Sequence, residues 1–422
     1  MKLQKIVDRL QKLHPKEIDL SLDRVLNLCN KLNNPQEKIK AISVVGTNGK
    51  YSTIQAIYAI LKEAKINCNI YTSPHIKKIN ERFVFNNKEL NDNELSDLLE
   101  RVEKTNNNQP ITFFEILTAA YFYKAADYPN NINLIETGLF HRFDATNILN
   151  QNLASVVTSI GLDHLDWLPK NEQTVEKIIF EKTSNLLNSN IIVAKQSSKK
   201  ILEHIKERIK DNKSNKFFFN EDYSYSSGEN DFFYYKDKFG EMKLPGPNVN
   251  GQFQLENISA AIATLRIIKQ SEIKDEHIKL GITKIHNIAR LQEITKGKLK
   301  NLVKDNKLLV DGSHNPLGAK VLNDYLESLN CEKHIIVGMM ANKDHQEYMS
   351  YFKNIKTLTT IDIPNQSNSI QGKELKNKLN NYLNIQYKEN IFEAIKSLPV
   401  KKNDLILITG SLYLAGEVLN LN

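Results

Sequence analysis

Residues 44–53 read VVGTNGKYST, and this stretch decides the fold. The β-branched run before it, Ala41 to Gly46 (AISVVG), reads as a buried strand, and Lys50 to about Ala64 reads as a helix. Between them, Gly46-Thr47-Asn48-Gly49-Lys50 forms a tight turn. Its glycines let several backbone N–H groups face one anion. The helix N-terminus adds partial positive charge. Lys50 is placed to reach the β- and γ-phosphates of a nucleotide, and a nearby hydroxyl to hold Mg²⁺. The strict pattern has Ser or Thr directly after the lysine. Here Tyr51 stands there, and Ser52 and Thr53 are the available hydroxyls. A glycine-rich turn with a solvated lysine would share the texture, so the rest of the chain has to support the reading.

Outward from the loop, short β-branched runs alternate with amphipathic stretches, the pattern of an α/β fold with a mainly parallel sheet. Strands are predicted at Cys68 to Ser73, Ile132 to Gly138, Leu153 to Ile160 and Asn190 to Ala194, and helices at Thr112 to Ala126 and Glu172 to Leu187. From Phe217 to Met242 the aromatic and Ser/Asp-rich texture predicts antiparallel hairpins at an edge. LPGPNVNG, residues 244–251, then breaks the chain before a helix near Leu255 to Ile268. A second series follows, with strands at Lys307 to Val310, His334 to Met339, Thr357 to Ile363 and Leu405 to Thr409. The expected organisation is a P-loop-type, mainly parallel domain over residues 1–287, and a smaller doubly wound α/β domain over 288–422.

The length, 422 residues, suits two domains. Mean hydropathy is −0.44, no apolar run is long enough to span a bilayer, and the amphipathic N-terminus lacks a signal-peptide core. A cytoplasmic protein is expected. Cys29, Cys68 and Cys331 are too dispersed for a disulfide framework or zinc site. The net charge of +8 is spread along the chain without interleaved aromatics, so no nucleic-acid partner is expected.

Several polar residues stand at predicted strand exits, where open α/β sheets bind ligands. Glu136 closes the strand INLIE, suitably placed for Mg²⁺. Asp163, His164 and Asp166 follow the next strand, and a histidine between acids suits metal or proton chemistry. Lys182 lies in a predicted helix, where the ordinary expectation is a solvated face. Asp311, His314 and Asn315 leave the first strand of the second series. Asp311 suits a ribose contact, or Asp311 and Asn315 stabilise a turn and helix cap with Pro316 at the first helical position.

Taken together and in order, these segments resemble the folylpolyglutamate synthase and dihydrofolate synthase family of the Mur ligase superfamily. The likeness runs through GTNGKYST (46–53), YTSPHIKKINERFVFNNKEL (71–90), TFFEILTAAYF (112–122), ETGLFHRFDATN (136–147) and TSIGLDHLDWL (158–168). It continues through FEKTS (180–184), QFQLEN (252–257), ARLQ (289–292), DGSHNPLGA (311–319), VGMMANKD (337–344) and TGSLYLAGEV (409–418). The resemblance implies ATP-dependent ligation of L-glutamate to dihydropteroate and/or tetrahydrofolate (poly)glutamates through an acyl phosphate, by a bifunctional, monomeric enzyme.

Position by position, it implies that Gly46, Thr47, Asn48, Gly49, Lys50 and Ser52 hold the ATP phosphates. Asn257, Arg290, Asp311 and His314 are the implied further ATP contacts. Ser52, Glu136 and His164 are the implied ligands of two Mg²⁺ sites, joined by Lys182 once carbamylated. Lys50, Lys182 and His314 are the implied catalytic residues. Ser73, Pro74, His75, Arg82, Phe114 and Glu115 are the implied substrate region. The chain departs from the family at Tyr51, where a glycine is usual, at Phe140-His141 in place of a glycine pair, and at Phe253, where a histidine is common. Those departures keep two other classes in view: a P-loop NTPase or phosphotransferase, and a catalytically weakened folate-binding relative.

Overall fold

Near-continuous apolar strands must be covered on both faces, and such strands pair in parallel through helical crossovers. The computed structural model describes residues 2–16, 19–229, 231–268, 272–379, 382 and 384–422. These form two compact units. One comprises Met1–His164, Leu168–Asn248 and Leu255–Ile285, and the other Leu165–Trp167, Val249–Gln254 and His286–Asn422. Of the two short segments that group with the second unit, Val249–Gln254 overlaps the chain break at 244–251, and Leu165–Trp167 carries no compositional mark.

In the first unit, an eight-stranded sheet contains β1 (Lys40–Val45), β2 (Cys68–Tyr71), β3 (Phe83–Phe85), β4 (Lys88–Glu89), β5 (Ile132–Glu136), β6 (Ala154–Val157), β7 (Asn190–Val193) and β8 (Asn215–Phe218). Their spatial order is β4-β3-β2-β5-β1-β6-β7-β8. β2, β5, β1, β6, β7 and β8 run parallel, and the β3–β4 hairpin closes one edge antiparallel. β1 is therefore central, and it leaves its C-terminal end directly into the Gly46–Lys50 loop. The aromatic segment expected as edge hairpins forms a sheet of its own, β9 (Tyr223–Ser227), β10 (Phe232–Asp237) and β11 (Gly240–Pro245).

Several elements are shorter than the sequence predicts, two of them by three residues or more. β6 stops at Val157, not Ile160. Ser159 carbonyl accepts from the N–H groups of Thr47 and Asn48, so the backbone beyond Val157 serves the phosphate loop rather than the sheet. The helix predicted over Glu172 to Leu187 spans Val175–Thr183. Thr174 caps it through Lys177 N–H, and Ser184 turns extended.

A buried amide cluster joins β2, β5 and the β3–β4 turn. Asn69 and Asn133 are register partners, and neither is exposed. Asn69 donates to Asn133 Oδ1 at 3.1 Å, and its own Oδ1 accepts from Asn131 and from Asn86 N–H, each at 3.0 Å. Tyr121 hydroxyl donates to Asn133 Oδ1, and Asn133 donates to Lys40 carbonyl.

The helix Phe113–Ala125 opens on a capping box. Thr112 Oγ1 accepts from Glu115 N–H, and Glu115 Oε2 accepts from Thr112 N–H at 2.8 Å. Arg24 grips the same carboxylate with Nε and Nη2 at 3.0 and 2.9 Å. Glu115 is 3% exposed. Both carboxylate oxygens are engaged in holding the helix start. Glu115→Ala is expected to lower unfolding free energy by about 3 kcal/mol by breaking a buried pair, with little change in KM. Urea denaturation and steady-state kinetics check it; a raised KM at unchanged stability would place Glu115 in the substrate region instead.

The second unit carries a six-stranded sheet of β12 (Gln292–Glu293), β13 (Lys307–Val310), β14 (Lys333–Val337), β15 (Thr357–Ile361), β16 (Ile385–Lys388) and β17 (Leu405–Thr409), in the order β12-β13-β17-β14-β15-β16. All pairs are parallel except β12 with β13. Leu309, Leu322, Ile335, Met339, Tyr348 and Leu407 belong to its core. His334 sits between Thr357 Oγ1 at 2.8 Å and Asp404 Oδ2 at 3.1 Å, fully buried. This trio lies where β14, β15 and β17 begin, opposite the ligand edge, and ties those strands together.

Candidate active site

The phosphate loop is shaped by contacts that exclude larger residues. Gly49 has φ +91°, and a Cβ there would lie 2.4 Å from Asn257 Oδ1. A Cβ on Gly46 would lie 2.0 Å from Thr158 Oγ1. Thr47 Oγ1 donates to Gly161 carbonyl at 3.0 Å and accepts from Gly161 N–H at 3.1 Å. The loop is thus stapled to the segment leaving β6, and Asn257 packs against its glycine. The helix Lys50–Glu63 begins with Gly49 as N-cap, so its first-turn N–H groups lack intrahelical acceptors. Tyr51 is half-buried in that turn, while Ser52 is 3% exposed. Lys50 Nζ donates to the carbonyls of Gly46 and Thr47 at 3.1 and 3.2 Å, which holds the ammonium over the loop.

Beside the loop, the exit of β5 supplies Glu136, 5% exposed, whose Oε2 accepts from Ser73 N–H at 3.3 Å. Ser73 and Pro74 follow β2, the neighbouring strand, so the substrate-region segment meets the strand-end acid. Phe114 stacks on Tyr71 with ring centroids 6.0 Å apart, and its edge would meet a Cβ on Gly138 at 3.0 Å. His75 Nδ1 accepts from Arg82 Nε at 3.0 Å. Burial and then the Arg82 charge push His75 down to about 4, so it is a neutral ring with its proton on Nε2.

Asp144 is an organising residue that residue-by-residue reading passed over. Its Oδ2 accepts from Gly138 N–H at 2.8 Å and its Oδ1 from Thr146 N–H at 3.0 Å. It thereby fixes the turn that carries Leu139 to Arg142. Spacing to Glu136 within one strand-exit segment was the available signal.

Lys182 overturns its ordinary reading as a solvated helix residue. It is 1% exposed, and Nζ donates to Leu139 carbonyl at 2.9 Å. The Phe140 ring lies 5.7 Å from Nζ. Burial, then the Lys50 charge, push its pKa down to about 7, with Asp163 and Asp144 pulling the other way. It is therefore an amine with a substantial neutral fraction at physiological pH. His141 is 3% exposed, and neither ring nitrogen has a hydrogen-bond partner among the described residues. Burial, then Lys182, push it down to about 4. His164, at φ 57°, stands edge-on to Phe140 at 6.4 Å, and its N–H bonds Asp163 Oδ1.

Among the described residues, no group of three or more His, Cys, Asp or Glu forms a ready metal cage. Buried oxygen donors at Ser52 and Glu136 still fit Mg²⁺, which binds through one or two carboxylates plus phosphate and water.

In the second unit, Asp311 leaves β13 and accepts from Leu291 and Ser313 N–H groups, each at 2.8 Å. Burial raises its pKa, and the Arg290 charge opposes that rise. His314 Nδ1 donates to Gly312 carbonyl at 2.9 Å. Asn315 caps the helix Pro316–Glu327 through Gly318 N–H. The structure thus gathers Arg290, Asp311 and His314 around one strand exit.

A central β-strand running into a glycine loop, with a lysine over the loop and a carboxylate at the next strand exit, defines a phosphate-loop nucleotide enzyme. The Mur ligase middle domain matches residues 44–265, and the Mur ligase glutamate ligase domain matches residues 290–412. The chain belongs to the Mur ligase family, in its folylpolyglutamate synthase/dihydrofolate synthase branch. It is 29% identical to the dihydrofolate synthase/folylpolyglutamate synthase of Bacillus subtilis over 94% of each chain. It is 26% identical to the folylpolyglutamate synthase of Lacticaseibacillus casei, over 94% of this chain and 92% of that one. The structure of Escherichia coli FolC in complex with DHPP and ADP superposes with a TM-score of 0.86 at 25% identity, covering 99% of this chain and 97% of that one.

Proposed function

We propose that this chain joins L-glutamate to dihydropteroate and to tetrahydrofolate (poly)glutamates at the cost of ATP, as a bifunctional dihydrofolate synthase/folylpolyglutamate synthase. The observation that carries the reading is Lys50, held over the phosphate loop by two carbonyls, within the electrostatic reach of a buried Lys182. The enzyme is a cytoplasmic monomer with small-molecule partners only. No described helix is long and apolar enough to cross a membrane.

The reaction has two steps. A carboxylate oxygen of the pterin substrate attacks the γ-phosphorus, and the β–γ bridging P–O bond breaks with its electron pair leaving on ADP. The glutamate amine, having lost a proton, then attacks the acyl carbon. The C–O bond to phosphate breaks, and phosphate departs with the second proton that the nitrogen sheds on becoming an amide. Both steps depend chiefly on positioning and charge neutralisation. The loop N–H groups and Lys50 hold the migrating phosphoryl group. Asn257 supports the loop through Gly49, and Arg290, Asp311 and His314 contact the remainder of ATP. Ser73, Pro74, His75, Arg82 and Phe114 line the acceptor region.

Ser52, Glu136, His164 and carbamylated Lys182 would hold two Mg²⁺ ions, which supply charge neutralisation at the phosphates. Neutral Lys182 reacts with CO₂: the Nζ lone pair forms an N–C bond, a C=O electron pair moves to oxygen, and a proton leaves Nζ. The resulting anion adds a hard oxygen ligand where a cation stood.

The test is incubation of the protein with Mg-ATP and glutamate, adding dihydropteroate, tetrahydrofolate or neither, with phosphate release and product mass read together. A glutamate mass on each acceptor is expected. Phosphate release that is indifferent to glutamate and acceptor would overturn the ligase reading in favour of an NTPase.

A further inference from the structure

A buried imidazole with no hydrogen-bond partner on either nitrogen is an unusual feature of a folded interior. His141 is such a ring, and it stands in the turn that surrounds Lys182. Leu139, two residues before it, accepts from Lys182 Nζ at 2.9 Å. Phe140, its neighbour, lies 5.7 Å from that nitrogen. His141 is also in electrostatic reach of the Lys182 charge. The turn is rigid, because Asp144 holds Gly138 N–H and Arg142 N–H bonds Glu181 carbonyl at 3.0 Å. Arg142 further grips Glu181 with two hydrogen bonds of 2.8 Å, next to Lys182 on the same helix. His141 is therefore held, from both ends, in the turn whose Leu139 and Phe140 contact the amine.

The nearby polar groups do not serve as its partners. Asp144 is occupied by Gly138 and Thr146, and the Leu139 carbonyl by Lys182. An imidazole always carries at least one N–H. Such a donor, buried in the turn that contacts an amine, suits an anionic oxygen attached to that amine.

We propose that His141 is a positioning residue for the carbamate on Lys182, its ring N–H donating to one carbamate oxygen and leaving the other for the metal. The inference rests on the carbamylation of Lys182 given above. Carbamate formation releases the Lys182 proton and creates two oxygens that need donors or cations. His141 supplies one donor without adding charge, so the group keeps its negative charge for Mg²⁺. A hydrogen bond to an ionised group is among the stronger ones available in an interior.

The experiment is carbon NMR of the full-length protein with Mg-ATP, titrated with isotopically labelled bicarbonate. Wild type, Lys182→Met, His141→Leu and His141→Gln are compared, with no activity measurement required. Wild type is expected to show a protein carbamate resonance that Lys182→Met lacks. His141→Leu, which keeps apolar bulk, is expected to need about 10-fold more bicarbonate for half-occupancy. His141→Gln, which keeps an N–H donor, is expected to fall nearer wild type than His141→Leu. Equal half-occupancy in wild type and His141→Leu would overturn the role of His141 while leaving carbamylation intact. A wild type with no carbamate resonance would overturn the Lys182 reading itself, and this inference with it.

Discussion

Lys50→Ala is expected to abolish detectable glutamate ligation, with a rate loss of roughly 10²–10³ or more, typical of removing a group that stabilises transferring charge. The geometry says why the loss falls on turnover rather than on folding. Lys50 Nζ bonds only to carbonyls of its own loop among the contacts described. The loop itself is held by Thr47, Gly161 and Ser159, none of which needs the lysine. Thermal unfolding is therefore expected to change little. Phosphate release and product mass on the purified variant check the first part, and calorimetry the second. Near-normal turnover would remove the phosphate loop from the mechanism.

Lys182→Met is expected to do two opposite things. It should abolish ligation, because no carbamate forms. It should also raise stability, because an amine fully removed from water is replaced by an apolar chain of similar length. The sign follows from the protonation states. The unfolded lysine titrates at its ordinary value of 10.5, and the folded one at about 7. Between those values the unfolded chain binds the extra proton, so wild-type stability rises with pH across that window. Below pH 7 the wild type carries the full penalty, on the order of 3–5 kcal/mol. Above 10.5 the penalty vanishes. In CO₂-free buffer, the gain of Lys182→Met over wild type should thus be largest at pH 6 and shrink steadily towards pH 10. Denaturant titrations at several pH values read this directly. A pH-independent difference would mean that Lys182 stays charged in the folded protein.

Much of the fold is legible in the chain because it rests on local rules. The VVGTNGKYST stretch announces a strand, a turn only glycine can make and a helix start, and the structure adds the reason: Cβ atoms at 46 and 49 would collide with Thr158 and Asn257. The alternation of strands and helices is equally local. What the sequence leaves illegible shares a different cause. Lys182 lies in FEKTS, a charged stretch that looks solvated, and its burial depends on Leu139 and Phe140 some forty residues earlier. Glu115 carries a readable signal, the T-x-x-E spacing from Thr112. Its second partner, Arg24, lies 91 residues away, and no spacing rule finds it. β6 reads three residues too long because Thr158 to Ile160 have strand propensity, and only the tertiary demand of the phosphate loop overrides it. Phe140-His141 was visible as a departure, and its meaning needed the unpartnered ring.

The amide cluster of Asn69, Asn131 and Asn133 has a consequence for how the chain reaches this structure. Parallel strands have no hairpin turn to fix their alignment, and apolar strands such as these tolerate sliding well. A one-residue slip of β2 on β5 would separate Asn69 from Asn133 and strand several amide groups in hydrocarbon, each costing about 1–3 kcal/mol. The apolar runs supply the attraction between the strands, and three asparagines act as a checksum that only one alignment satisfies.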